Sequence, residues 1–167
     1  MTATYDCIAT TTLGSAAASV TFSSISGSFT DLVIVCNLGV TVADQHNVVF
    51  RFNSDTGNNY SYTRLYGDGS SAGSNRGSNE PFIYANEKSY PSGSAGENNY
   101  IINVMNYSNA TTYKTTIGRG NRAATGTDAI VGLWRSTAAI TSVTILCSPA
   151  GSYVAGSTFT LYGIKCE

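Results

Sequence analysis

Charged residues are scarce in this sequence, and their scarcity argues against several classes of protein. Nine lysines and arginines stand against ten aspartates and glutamates, so 11% of the 167 residues are charged and the net charge is -1. A nucleic-acid surface needs a clustered basic excess, and we predict no nucleic-acid partner. Because 42% of the residues are hydrophobic, we expect a folded chain rather than a disordered one, with a surface of Ser, Thr, Asn and Gly.

Long apolar runs are also missing. No run approaches the roughly 20 residues that a membrane-spanning helix needs. The first residues, MTATYDCIATTTLGS, lack both the basic region and the unbroken apolar region of a secretory signal. We therefore predict no membrane insertion and a mature chain that begins near Met1 and is made in the cytoplasm of its host.

Signatures of catalysis are equally sparse. The single histidine, His46, has no GxSxG or HExxH frame around it, and a lone loop histidine is more often solvated or hydrogen-bonded than catalytic. A glycosidase needs two acids held about 5 to 10 Å apart, and sequence spacing brings no two of the loop acids together. These acids are Asp44, Asp55, Asp68, Glu80, Glu87 and Glu97. We predict that the protein is not an enzyme and uses no cofactor.

The four cysteines form no CxxC pair. Cys7, Cys36, Cys147 and Cys166 all fall in predicted strands, whereas zinc-finger ligands are closely spaced and come from turns. We therefore favour free thiols that act as small apolar residues. The alternative is a disulfide between Cys7 and Cys166 that joins the first strand to the last, although cytoplasmic synthesis argues against it.

The residues that are abundant point to β-strands. Three runs rich in β-branched and aromatic residues occupy residues 129–165, and such side chains fit a pleated surface. Val143, Ile145 and Cys147 share one face by alternation, and Phe159 and Leu161 share another, without the 3.6-residue spacing of a helix. Because these runs are separated by short polar or glycine-containing joints, they predict an antiparallel meander near the C-terminus.

The first half of the chain gives further strands. Residues 31–40 include the nearly continuous apolar run LVIVCNLGV, which predicts a central strand covered on both faces. Residues 48–53 and 59–66 alternate in polarity on either side of a turn-forming stretch, so they predict a hairpin.

A long stretch at residues 67–99 is dominated by Gly, Ser and Asn, with a short strand at most near residues 81–85. We predict a long loop there, which reaches a partner and is ordered by that contact, since connections of this length are usually functional. The remaining segments give about nine or ten short strands. They predict a single-domain antiparallel β-sandwich over residues 1–167.

Two local patterns suggest ligands. Residues 53–58 carry oxygen ligands at alternate positions, as in a calcium loop, but the twelve-residue length and the final Glu of an EF-hand are missing, so a plain turn is favoured. Exposed tyrosines suit glycan or protein contact, although rings packed between sheets or across a subunit boundary are the preferred alternative. The candidate tyrosines are Tyr60, Tyr62, Tyr66, Tyr84 and Tyr90.

Three stretches carry a family resemblance. The opening TYDCIATTTLGSAAASVTFSSISGSFTDLVIV, the central VVFRFNSDTGNNYSYTRLYGDGSS and the closing AITSVTILCSPAGSYVAGSTFTLYGIK resemble small β-rich virion proteins of tailed bacteriophages, many of them marine. The resemblance implies a jelly-roll-like sandwich on the exterior of the particle, as a capsid decoration protein, a head fibre or a tail-fibre module. It brings no catalytic residues.

Two hypotheses follow. The favoured one is a structural virion protein that works as a homo-oligomer, a trimer by analogy with phage appendages. Its partners are copies of itself and virion proteins such as the major capsid protein or an appendage protein. The alternative is a lectin-like receptor-binding module of a tail fibre that recognises host-surface glycan.

Overall fold

The computed structural model describes residues 4–41, 46–91, 93–122 and 125–165. Within these ranges the chain forms strands and no α-helix, and hence no helix long and apolar enough to cross a membrane. The strands are β1 (Tyr5–Thr12), β2 (Ser19–Phe22), β3 (Asp31–Leu38), β4 (Asn47–Phe52), β5 (Tyr60–Gly67), β6 (Ala72–Glu80), β7 (Ile83–Tyr84), β8 (Asn98–Met105), β9 (Lys114–Arg122), β10 (Gly126–Trp134), β11 (Val143–Ser148) and β12 (Thr158–Ile164).

The strands form two sheets of unequal size. The large sheet has the order β1-β12-β3-β8-β9-β10-β5-β6, and the small sheet has the order β2-β11-β4-β7. All neighbouring strands run antiparallel. The predicted all-β antiparallel sandwich is therefore confirmed. An eight-stranded jelly roll has four strands in each sheet, whereas the large sheet here has eight.

The core lies between the two sheets and is rich in aromatic rings. Phe52, Tyr60 and Trp134 form one cluster of buried rings within it, where the Tyr60 ring stacks on Trp134 with 6.2 Å between ring centroids. The buried Tyr60 hydroxyl donates to the Phe52 carbonyl oxygen at 3.3 Å, and the Tyr100 hydroxyl donates to the Ser89 carbonyl oxygen at 2.5 Å. Tyrosine can fill a core in this way because its one polar atom finds a backbone partner.

The predicted local pairings of strands are wrong. β4 lies in the small sheet and β5 in the large sheet, so residues 48–66 form no hairpin. β10, β11 and β12 also form no meander, because β11 lies between β2 and β4 in the small sheet. Alternation of apolar residues identifies which side chains face the core, but it does not identify the neighbouring strand.

The predicted loop at residues 67–99 is also wrong, since it contains the nine-residue strand β6, whereas β7 lies within residues 81–85, where a short strand was allowed. β6, with the sequence AGSNRGSNE, pairs along its whole length with β5. A Cβ at Gly77 would lie 2.5 Å from the Tyr62 ring, and one at Gly73 would lie 2.7 Å from the Tyr66 hydroxyl. The glycines thus leave room for the tyrosine rings of β5, which supply the packing that β6 lacks.

Contacts within the chain also hold the segment after β7. The buried Asp128 carboxylate accepts hydrogen bonds from the backbone N–H groups of Lys88 (2.9 Å) and Ser89 (2.7 Å), and from the Ser89 hydroxyl. Arg64 pairs with Glu87 at 2.6 Å. This segment is therefore ordered by its own sandwich, contrary to the prediction that a partner orders it.

Candidate functional site

The five candidate tyrosines do not form one exposed platform. Tyr60 and Tyr62 are buried in the core, which corresponds to the alternative in which the rings pack between the sheets. Burial raises the pKa of both hydroxyls to about 12. Tyr66, Tyr84 and Tyr90 are half-buried, and a role for these three in binding stays a prediction.

The rings of Tyr62 and Tyr84 enclose the guanidinium of Arg64. The Arg64 guanidinium carbon lies 4.7 Å from the centroid of the Tyr62 ring and 4.6 Å from that of Tyr84. The same guanidinium donates to the Asn86 carbonyl oxygen at 2.8 Å and pairs with Glu87. These contacts join β5 to β7 and to the segment after it, and loss of one partner would leave a buried charge uncompensated.

The loop at residues 53–58 uses its oxygen atoms within the chain. The Asp55 carboxylate accepts hydrogen bonds from the Trp134 indole N–H (2.7 Å), the Asn59 amide (2.9 Å) and the Gly57 backbone N–H (2.8 Å). Partial burial works to raise the pKa of Asp55, but these hydrogen bonds lower it overall. The loop is thus a corner between the two sheets, held by the core residue Trp134.

Asp68 and the histidine also contact their own chain. Asp68 accepts hydrogen bonds from the backbone N–H and hydroxyl groups of Ser70 and Ser71, which lower the pKa of its carboxyl. His46 is buried against Gly151 beside Cys147. The described residues include no group of three or more His, Cys, Asp or Glu that could hold a metal ion. Asp44 lies outside the described residues.

The cysteines that the structure describes differ in exposure. Cys36 and Cys147 are buried and Cys7 is exposed. Burial raises the pKa of the Cys36 thiol to about 12 and that of Cys147 to about 11, so both are poor nucleophiles near neutral pH. The alternative of a disulfide between Cys7 and Cys166 involves a residue outside the described ranges.

The feature that stands out is the face of the large sheet that points away from the small sheet, which we call the outer face. Its middle is crossed by one row of cross-strand neighbours, which we call the central row. The register places these residues side by side from β12 to β10, in the order Tyr162, Val33, Asn103, Ile117 and Val131. Apart from Asn103, every member of the central row has an apolar or aromatic side chain.

The outer face combines a ridge with a groove. Ile117, Val131 and Leu65 form the ridge, and these residues are 50%, 54% and 59% exposed, whereas Val33 is 5% exposed. A groove of about 580 Å³ lies beside the ridge. Its far wall and floor are formed by Tyr5, Tyr162, Val33, Val35, Ile101 and Asn103. A contiguous exposed apolar surface of this kind is characteristic of interaction sites.

The groove is almost free of charge, whereas the rest of the outer face also carries Asp31 on β3 and Arg76 on β6. Arg119 is the only charged residue among those lining the groove, and its guanidinium has no ion-pair or hydrogen-bond partner among the described residues. Tyr5 and Tyr162 form an edge-to-face pair on the opposite wall, with ring centroids 6.3 Å apart. The site therefore offers apolar contact, two tyrosine rings and one unpaired cation.

Sequence analysis did not identify this site, although the sequence holds a signal for it. The run LVIVC in β3 predicted a strand covered on both faces, and the runs YIINV in β8 and AIVGL in β10 have the same character. In the structure the small sheet covers one face, and no other element of the described chain lies over the second. The apolar pattern of these strands therefore indicates a cover over the outer face that the described chain does not supply.

Comparison of the chain with models of known protein families gives no match, and a search of curated proteins finds no similar sequence.

Proposed function

We propose that this protein is a structural subunit on the exterior of a tailed-phage particle, where it decorates or stabilises the capsid or forms part of a fibre. In this role it acts by packing against neighbouring copies and other virion proteins, and it catalyses no reaction. The proposal rests on the three stretches that resemble phage virion proteins and on the character of the outer face.

The single observation that carries the proposal is the apolar face of the large sheet, which no other part of the described chain covers. Leu65, Ile117 and Val131 are each at least half exposed on adjacent strands. Isolated exposed apolar residues are common on soluble proteins, but a contiguous group on the middle of a sheet is a surface for a partner. A subunit of a larger assembly can have such a surface because the neighbouring subunits bury that surface.

The polar groups of the chain support a binding role over a catalytic one. Asp55, Asp128 and Glu87 each accept hydrogen bonds or an ion pair from neighbouring elements of the fold. A general acid or base must be within hydrogen-bond reach of a substrate, and these carboxylates are occupied in holding loops to the sandwich.

The test is to quantify the protein in purified particles of the phage that encodes it. We expect a fixed number of copies per particle in gradient-purified virions, and loss of incorporation when Ile117→Glu places a charge on the outer face. A matched variant, Ser19→Glu, puts the same charge on the exposed strand β2 of the small sheet and should be incorporated normally. Absence of the protein from particles would refute the proposal.

A receptor-binding module is the second candidate, and one cluster favours it. The Phe82 and Tyr84 rings pack edge to face at 5.0 Å, and the Arg51 guanidinium lies 5.4 Å from the Phe82 ring centroid. All three residues are half-buried and present the aromatic and cationic groups that contact glycans. A glycan array with Tyr84→Ala and Phe82→Ala as controls tests it, and so does a copy number of only a few per particle.

A further inference from the structure

We propose that the outer face is an isologous interface that binds a second copy of this chain, with a two-fold axis that lies along β8. This inference rests on the proposed function, because it names the partner that covers the outer face. It follows from the arrangement of the central row, from the unequal exposure of its two halves and from the unpaired cation beside it.

The central row is arranged symmetrically about Asn103. Val33 and Tyr162 follow it on one side, and Ile117 and Val131 follow it on the other. The large sheets of two copies can pack face to face with their strands aligned. If a two-fold axis parallel to β8 relates the copies, a residue on one side of β8 lies opposite the residue of the second copy that is the same number of strands away on the other side. Ile117 of one copy then faces Val33 of the second copy, and Val131 faces Tyr162.

The shapes of the two halves fit this exchange. Val33 is 5% exposed and lies at the floor of the groove, whereas Ile117 is 50% exposed and stands on the ridge. The rotation lays Ile117 of each copy over Val33 at the floor of the other copy's groove and Val131 against Tyr162 in its wall, and the two sets of contacts are identical by symmetry. A surface that carries both a projection and a matching recess on opposite sides of one strand is complementary to itself.

The same rotation places the polar groups of the groove against groups that they can contact. Asn103 lies on the axis and faces its own equivalent, and a carboxamide can pair with another because it carries both a donor and an acceptor. Arg119 is placed over Val35 in the neighbouring row, with the Tyr162 ring close enough for its long side chain to reach. Its aliphatic stem can pack on Val35 and its guanidinium on the ring.

The low charge of the groove also favours a second copy. In an isologous contact each charge meets the same surface, so a face with many charges of one sign repels itself. The groove has one charged residue, Arg119, which lies one strand away from the axis. The two arginines of a dimer are therefore separated and each faces apolar and aromatic groups.

Sedimentation equilibrium of the purified full chain over a range of concentrations tests the proposal. We expect the molar mass to rise from 17.5 kDa to twice that value. Ile117→Glu should weaken the association by about 100-fold or more, because each dimer then places two carboxylates against the apolar Val33 side chains, and Arg119→Ala by about tenfold. Ser19→Glu should leave the association unchanged. Thermal unfolding of each variant verifies that the fold is intact.

A second measurement is independent of any loss of association. In a background with Cys7→Ser and Cys166→Ser, Asn103→Cys should give a dimer with a short bis-maleimide cross-linker, since the two positions face each other across the axis. Ser19→Cys in the same background should not, and the remaining thiols of Cys36 and Cys147 are buried.

Three results would overturn the inference: the mass of one chain at every concentration, the mass of a trimer, or a dimer that Ile117→Glu leaves intact. Each of them leaves the proposed function standing if the protein is present in particles, because another virion protein would then cover the outer face. Conversely, a dimer formed by a protein that particles lack would refute only the proposed function.

Discussion

The two faces of the large sheet are similar in composition, but the described chain covers only the inner face, with the small sheet. On the inner face Ile34, Ile102 and Ile130 are buried under the small sheet. On the outer face the same strands carry Val35, Ile101 and Val131, without any cover among the described residues. Residues of one chemical type thus serve two purposes, because inner residues stabilise the fold of one chain while outer residues are available to a partner.

The inner face should show the largest effect when a side chain is truncated. Trp134→Ala removes a buried ring that packs on Phe52 and Tyr60 and donates to Asp55, and we expect the free energy of unfolding to fall by about 3–5 kcal/mol. Leu133→Ala, its neighbour on the opposite face of β10, should lower it by less than about 1 kcal/mol. Urea denaturation of the monomer measures both, and equal losses would contradict the assignment of faces.

The buried carboxylate of β10 should give the next largest effect. Asp128→Ala leaves the N–H groups of Lys88 and Ser89 without their acceptor, and we expect a loss of about 2–3 kcal/mol. Hydrogen exchange should also become faster at these two amides. Thr127→Ala, on the exposed face of the same strand, is the control and should change neither quantity.

Gly77 in β6 offers a comparison of the two faces at the edge of the sheet. Gly77→Ala places a methyl group 2.5 Å from the Tyr62 ring, which must then move from its contact with Arg64. We expect a loss of about 1–3 kcal/mol, whereas Ser78→Ala on the outer side should change stability by less than about 0.5 kcal/mol. A neutral or stabilising Gly77→Ala would show that the ring does not need this space.

The corner at Asp55 should produce a smaller effect that depends on pH. The pKa of Asp55 is lower in the folded chain than its ordinary value, which is about 4 in an unfolded chain. Its contribution to stability is therefore complete above about pH 4 and is lost as the pH falls through the folded pKa. Asp55→Asn should flatten this part of the stability profile, and an unchanged acid slope in thermal unfolding would contradict the assigned hydrogen bonds.

The outer face should show the smallest effect on the stability of one chain. Ile117→Ala removes a half-exposed side chain, and we expect the monomer to lose less than about 0.5 kcal/mol. The same variant should weaken self-association, which a dilution series by light scattering measures. A large loss of monomer stability would mean that the outer face belongs to the core.

The sequence predicted the faces of individual strands well and the pairing of strands poorly. Alternation correctly placed Val143, Ile145 and Cys147 on a buried face, since the period of two follows directly from strand geometry. It could not place β11 between β2 and β4, because that choice depends on contacts between residues far apart in the chain. β6 was missed because its strand character comes from the tyrosine rings of β5 and not from its own side chains.

The candidate site was predicted only in its chemistry. Tyrosines were candidates for a contact surface, with packing between the sheets or across a subunit boundary preferred. Tyr60 and Tyr62 lie in the core, as preferred, whereas the tyrosine pair on the outer face is Tyr5 and Tyr162. Which tyrosines are buried depends on the sheet that each strand joins. The apolar character of β3, β8 and β10 on both faces was visible in the sequence, and it indicates a second cover that the described chain does not supply.

The most direct test of the central claim is hydroxyl-radical labelling of the outer face in the isolated monomer and in the purified particle. Leu65, Ile117 and Val131 should be labelled in the monomer and protected in the particle, while Tyr113, an exposed residue in the connection between β8 and β9, serves as the reference. Equal labelling of the three residues in both states would contradict the claim that this face is an interface.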